Sequence, residues 1–169
     1  EAITERKVVF FHSSVAINLD VERFEKATKS KLEMVRTYHI EEDEKSRDPD
    51  LHLCKTVGEY NAHNCNLAVF AVGSNDVKKA EEDETFGMTE KIEIVKRQCE
   101  QLVDIATNVS VSNNLDSFII EQIPRYESPG MMKLQKFANS YLNTLVTKSS
   151  ARLHLVSQAS LFRHPGEAR

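Results

Sequence analysis

The 169-residue sequence has no tryptophan, only five glycines and no Cys-x-x-Cys pair. Its cysteines, Cys54, Cys65 and Cys99, are odd in number and widely spaced, so buried or idle thiols in a reducing, cytoplasmic setting are the expectation. None of the six histidines pairs at His-x-His or His-x-x-x-His spacing, which removes the usual zinc signature, and no metal is expected. No glycine-rich loop follows the first apolar run, so a phosphate cradle is not expected and no cofactor is assigned. No apolar run approaches the ~20 residues of a membrane span, and no signal-peptide pattern opens the chain. The chain begins at Glu1 rather than Met, as a fragment or processed polypeptide would. Twenty-two basic residues against 26 acidic ones leave a net charge of -4, which disfavours an overall electrostatic grip on nucleic acid. A local basic patch remains compatible with that balance.

What is present is an alternation of strand-like and helix-like runs, with neither repeats nor low-complexity segments. Residues 7–12, 32–40, 67–73, 116–123 and 152–159 read as strands. Between them, residues 19–31, 51–63, 89–109 and 131–146 carry apolar residues at helical spacing, with Asp20 and Thr89 as N-caps. The charged stretches 41–50 and 76–87 read as exposed connectors. Strand–helix alternation with long crossovers demands parallel strands and right-handed connections. The expected architecture is one α/β domain over residues 1–169, a three-layer doubly wound sheet of five parallel strands in the flavodoxin-like order 2-1-3-4-5. Strands one and three, the most apolar, belong in its middle.

In that order the carboxyl ends of strands one and three flank the topological switch point, where ligands bind in open α/β sheets. Strand one ends in His12-Ser13-Ser14 and strand three in Gly73-Ser74-Asn75-Asp76, while the fourth adds Gln122, Arg125 and Tyr126. A glycine there permits a turn with positive φ, and an asparagine beside it can present an amide N–H to a substrate oxygen. A serine on one strand end facing an asparagine on the next is a workable nucleophile and oxyanion donor. The plainer account of the Ser-Asn-Asp cluster is an Asx turn capping the next segment.

These residues resemble the SGNH, or GDSL-type, hydrolases. Val8 to Ala16 (VVFFHSSVA) is similar to the family's first block, and alignment on Val15-Ala16 puts Ser14 at the nucleophile position. Gly73-Ser74-Asn75-Asp76 matches the third block, Gly-x-Asn-Asp, which implies Asn75 as the oxyanion residue. Ile123-Pro124-Arg125-Tyr126 is similar to the strand end of invertebrate and retrotransposon-encoded members. The resemblance implies a serine esterase of small acyl esters, with Ser14, Asn75 and Gly73 in its catalytic core and Ser13, Ser74, Asp76 and Arg125 lining the site.

The sequence also departs from the family pattern. His12 and Ser13 replace the Gly-Asp that precedes the nucleophile, and the stretch 41–50 lacks the second block's glycine. No Asp-x-x-His follows the fifth strand, so the expected domain lacks its last catalytic block, and His164 is the candidate base within this chain. His12 is adjacent to the serines, but strand alternation turns it away from at least one of them. The departures leave a second expectation open: a non-catalytic SGNH-like module that binds RNA or a protein partner.

Overall fold

A computed structural model describes residues 6–12, 21–36, 65–122 and 128–157. Its elements are β1 (Arg6–His12), α1 (Val21–Thr28), β2 (Ser30–Arg36), β3 (Leu67–Ala71), α2 (Ser74–Glu82), α3 (Met88–Asn113), β4 (Asp116–Ile120), α4 (Pro129–Lys148) and β5 (Leu153–Val156). All five strands are parallel in the order β2-β1-β3-β4-β5. The doubly wound sheet read from the sequence is therefore present, with β1 and β3 side by side.

Alternation along the strands divides the core in two. Val9 and Phe11 of β1, Ala68 and Phe70 of β3 and Ile119 of β4 are buried on one face, beneath α2, α3 and α4. Phe11 and Phe70 are register partners with ring centroids 5.0 Å apart, and burying such a side chain stabilises the fold by roughly 1.5–3 kcal/mol. Val8, Phe10, Leu32 and Ile120 occupy the other face, packed against Val21 and Phe24 of α1. Helices thus change face where the strand order reverses, as right-handed crossovers require. No helix among the described residues is long and apolar enough to cross a membrane.

The helix ends follow local chemistry. Helix α3 starts at Met88, because the Glu90 carboxylate accepts the Gly87 N–H at 2.7 Å; Gly87, rather than Thr89, is the N-cap. The helix runs four residues past the expected 109 and stops where Asn114 turns left-handed at φ 50°. In α4, Ser128 caps by accepting the Met131 N–H at 3.0 Å, and Pro129 opens the helix.

The stretch expected as an acidic connector from 76 to 87 is in part a helix, α2. Val77 and Ala80 are buried at i, i+3 and dock it on the core, so tertiary packing overrides the polar composition. Strands β3 and β4 stop at Ala71 and Ile120, short of the expected 73 and 123. Val72 is buried without belonging to the ladder.

Candidate active site at the carboxyl edge

In the parallel register His12 lies opposite Ala71, so β1 and β3 deliver their ends to the same edge at the same height. Two residues beyond Ala71 the chain turns through Gly73, with φ 108° and ψ -16°, and enters α2 at once. The Val77 N–H donates to the Gly73 carbonyl at 3.1 Å and closes the first helical turn. That turn carries Ser74, Asn75 and Asp76. Ser74 and Asp76 are buried at 6% and 2% exposure, while Asn75 is half-buried. Asp76 places a carboxylate in the first turn of α2, where the helix dipole favours negative charge.

Four of the buried polar side chains among the described residues, His12, Ser74, Asp76 and Gln122, belong to this edge. Buried polar groups persist where partners hold them, so their concentration here marks an organised polar site rather than a patch of core. Gln122 stands just past β4. Its N–H donates to Asn139 Oδ1 at 2.8 Å, and Asn139 Nδ2 donates to its carbonyl at 3.1 Å, which fastens the strand end to α4. The Gln122 side-chain nitrogen would lie 3.2 Å from a Cβ added at Gly73, so glycine gives room for this approach as well as the positive φ. From α3, Gln98 Nε2 donates to the Asp76 carbonyl at 3.4 Å.

Of the residues singled out from sequence, Gly73, Ser74, Asn75 and Asp76 come together in this turn. Ser13, Ser14, Arg125 and His164 lie outside the described residues. Gln98 and Asn139 escaped the sequence reading. Asn139 is half-buried beside Ala138 on α4, and its sequence setting does not single it out.

The thiols behave as the sequence suggested where they are described. Burial pushes Cys99 up to about 12 and also raises Cys65, so neither is a ready thiolate. A separate apolar cavity of about 310 Å³ lies on the α1 face, against Val8, Phe10, Phe24, Val69 and Phe118. No residue of the Gly73–Asp76 turn lines it, so cavity size does not locate the polar site.

No protein-family model matches the sequence, and no curated protein does. Solved structures do. The lipase Lip_vut3 from a goat rumen metagenome superposes with a TM-score of 0.67 at 6% identity, over 95% of this chain and 84% of that one. A GDSL-like lipase of Bacteroides thetaiotaomicron gives 0.56 at 13% identity, over 92% and 70%. The fold is that of the SGNH hydrolases. A putative acylhydrolase of Bacteroides fragilis agrees, at 0.59 and 14% identity over 98% of this chain and 74% of its own. At such identities the shared feature is the path of the backbone. The SGNH fold therefore accounts for the sheet order and the edge, while side-chain roles rest on the geometry of the turn.

Proposed function

We propose that this chain is an SGNH-type serine hydrolase domain acting on small acyl esters, with Ser14 as nucleophile and Asn75 as oxyanion donor. One observation carries the reading. Strands β1 and β3 are adjacent and parallel, and β3 passes through a positive-φ glycine straight into a helix whose first turn bears Asn75. Ser14 follows His12 by two residues, from a strand end level with that turn. The names of the three neighbours, two lipases and an acylhydrolase, support ester chemistry on this fold.

In this reading Ser14 Oγ attacks the acyl carbon while a base takes its proton. The tetrahedral oxyanion accepts hydrogen bonds from the Ser14 N–H and the Asn75 side-chain amide, and the N-terminal turn of α2 adds favourable partial charge. Collapse expels the alcohol, which recovers the proton from the base, and water then attacks the acyl-serine by the same route. His164, eight residues beyond the last strand residue, Val156, is the base this chain offers. Ser13, Ser74, Asp76 and Arg125 complete the walls of the site.

The test is hydrolysis of p-nitrophenyl acetate. Ser14→Ala is expected to reduce turnover to the uncatalysed background. Asn75→Ala is expected to lower kcat by about 10²–10³ with KM nearly unchanged, the cost of one oxyanion donor. Equal turnover by the wild type and Ser14→Ala would remove the nucleophile and with it the proposal.

A further inference from the structure

The ladder of β4 runs out before its chain leaves the carboxyl edge. Its last register pair with β3 is Ile119 and Phe70, and with β5 Ile120 and Val156, after which the Glu121 N–H donates to the Val156 carbonyl at 3.0 Å. Gln122, one residue on, is only 6% exposed, so its backbone N–H and carbonyl need partners of their own. One side chain supplies both. Asn139 Oδ1, from the middle of α4, accepts the Gln122 N–H at 2.8 Å, and Asn139 Nδ2 donates to the Gln122 carbonyl at 3.1 Å, across 17 residues of sequence. These paired bonds are what a hydrogen-bonded neighbour exchanges in an antiparallel ladder, with one carboxamide standing in for a strand.

Asparagine is a poor residue for a helix interior, because its amide competes for nearby backbone groups. Here the amide is turned away from its own helix. Gln135, Ala138 and Leu142 are at most 1% exposed and fix α4 on the core, so Asn139 reaches Gln122 from a rigid base. The Gln122 side chain gives this clamp a target. Its Nε2 would lie 3.2 Å from a Cβ added at Gly73, tighter than an ordinary contact, so the amide occupies space that only glycine leaves. Among the described residues, no other atom outside the chain neighbours of Gly73 comes within 4 Å of that position. Gly73 takes a φ of 108°, and Asn75 follows it by two residues in the first turn of α2. A glycine is the residue with the widest conformational freedom, and Gln122 is what stands against this one.

We propose that Asn139 is a positioning residue of the esterase site: by holding the Gln122 backbone it seats the Gln122 amide against Gly73, and so fixes the turn that presents Asn75. The catalytic consequence rests on the esterase reading, whereas the clamp rests on the two hydrogen bonds and the contact at Gly73. Neither Asn139 nor Gln122 touches substrate in this scheme. Their effect is preorganisation: the oxyanion donor is in place as charge develops, instead of being recruited from a loose turn.

The experiment compares Asn139→Leu, which keeps the side chain's size and removes both bonds, with Gln122→Ala, which keeps both bonds and removes the amide at Gly73. The double variant and Val146→Ala complete the set, the latter loosening α4 about two turns farther along. In amide NMR spectra both clamp variants are expected to shift the Gly73 and Asn75 backbone resonances, and Asn139→Leu to speed exchange of the Gln122 amide proton about tenfold or more. In p-nitrophenyl acetate hydrolysis each is expected to lower kcat about tenfold with KM unchanged, less than the ~10²-fold that a misplacement of about 1 Å costs. The double variant should be no slower than the slower single one, because both act through one contact. Val146→Ala should keep wild-type kcat, which separates lost positioning from lost helix stability. Multiplying losses, an equal kcat loss in Val146→Ala, unmoved Gly73 and Asn75 resonances, or clamp variants with wild-type kcat while Asn75→Ala is impaired would each overturn the proposal. If Asn139→Leu does not fold, Gln122→Ala decides by the same two readings. Should Asn75→Ala itself keep full activity, the esterase reading falls instead. The resonances then decide alone: shifts at Gly73 and Asn75 uphold the clamp, and their absence overturns it.

Discussion

Gly73 carries two constraints at once, a φ of 108° and an amide nitrogen lying where its Cβ would meet it. A Gly→Ala change at a compatible position stabilises a protein by about 0.4–1 kcal/mol, because the unfolded chain loses freedom. Here the sign reverses. Gly73→Ala is expected to destabilise by about 1–3 kcal/mol, seen as a lower urea midpoint at unchanged m. A midpoint at or above wild type would show the turn to be unstrained. Gly73 through Asp76 could be read from sequence because a short polar cluster ends an apolar run. Gln122 is legible on the same edge as a strand-end residue, but Gln98 is an ordinary polar residue of a long helix, and only the packing of α3 against the turn brings its Nε2 to the Asp76 carbonyl.

Elements show the same division between local and tertiary information. The stripes of α3 and α4 follow from apolar spacing, and Val95, Cys99, Leu102, Leu134, Ala138 and Leu142 are all buried. Helix α2 offers just Val77 and Ala80 to the core among acidic and basic neighbours, so the sequence read it as a connector. Contacts hold it. Lys91 Nζ donates to the Glu81 carbonyl at 2.5 Å and lies 3.5 Å from its carboxylate, and the Ser128 hydroxyl donates to that carboxylate at 3.4 Å. At the opposite edge, Asp116 joins the starts of β4 and β5. It accepts from Arg152 Nη2 at 2.7 Å and Nε at 3.1 Å, with His154 Nε2 also 3.1 Å away. Hydrogen bonds from Arg152 and then His154 hold the Asp116 carboxyl down at about 2, below its ordinary 3.8. A folded value below the unfolded one contributes stability above about pH 4, and that contribution fades as pH falls toward 2. The pair is partly exposed, so Asp116→Asn is expected to cost about 0.2–1 kcal/mol at pH 7. Urea unfolding at several pH values should show that difference shrinking between pH 4 and pH 2. A constant difference across that window would assign the effect to packing instead of charge.

At the scale of the whole molecule, sheet order was legible because burial on both faces demands apolar residues at every position. VVFF in β1 and LAVFA in β3 meet that demand most fully. Neighbourhood of those two strands fixes which loops share an edge, a property that an esterase and a module that merely keeps the fold have in common. An RNA-binding alternative would have to draw its affinity from phosphate contacts, which release counterions and make binding fall with salt at a slope of about -0.7 per phosphate neutralised on a single strand. The net charge of -4 opposes such contacts over the molecule as a whole. Among the described ion pairs, Lys7, Lys78, Lys91 and Arg152 already face Glu33, Glu82, Glu81 and Asp116, which lowers the free positive charge available to a phosphate chain. Filter binding of the whole chain to single-stranded RNA at 20 mM salt is therefore expected to show no retention above that of a neutral protein. Retention that declines with salt at a slope of several phosphates would reveal a basic face strong enough to outweigh the global charge. The carboxyl edge would then have to be tested as part of an RNA site before an ester is assigned to it.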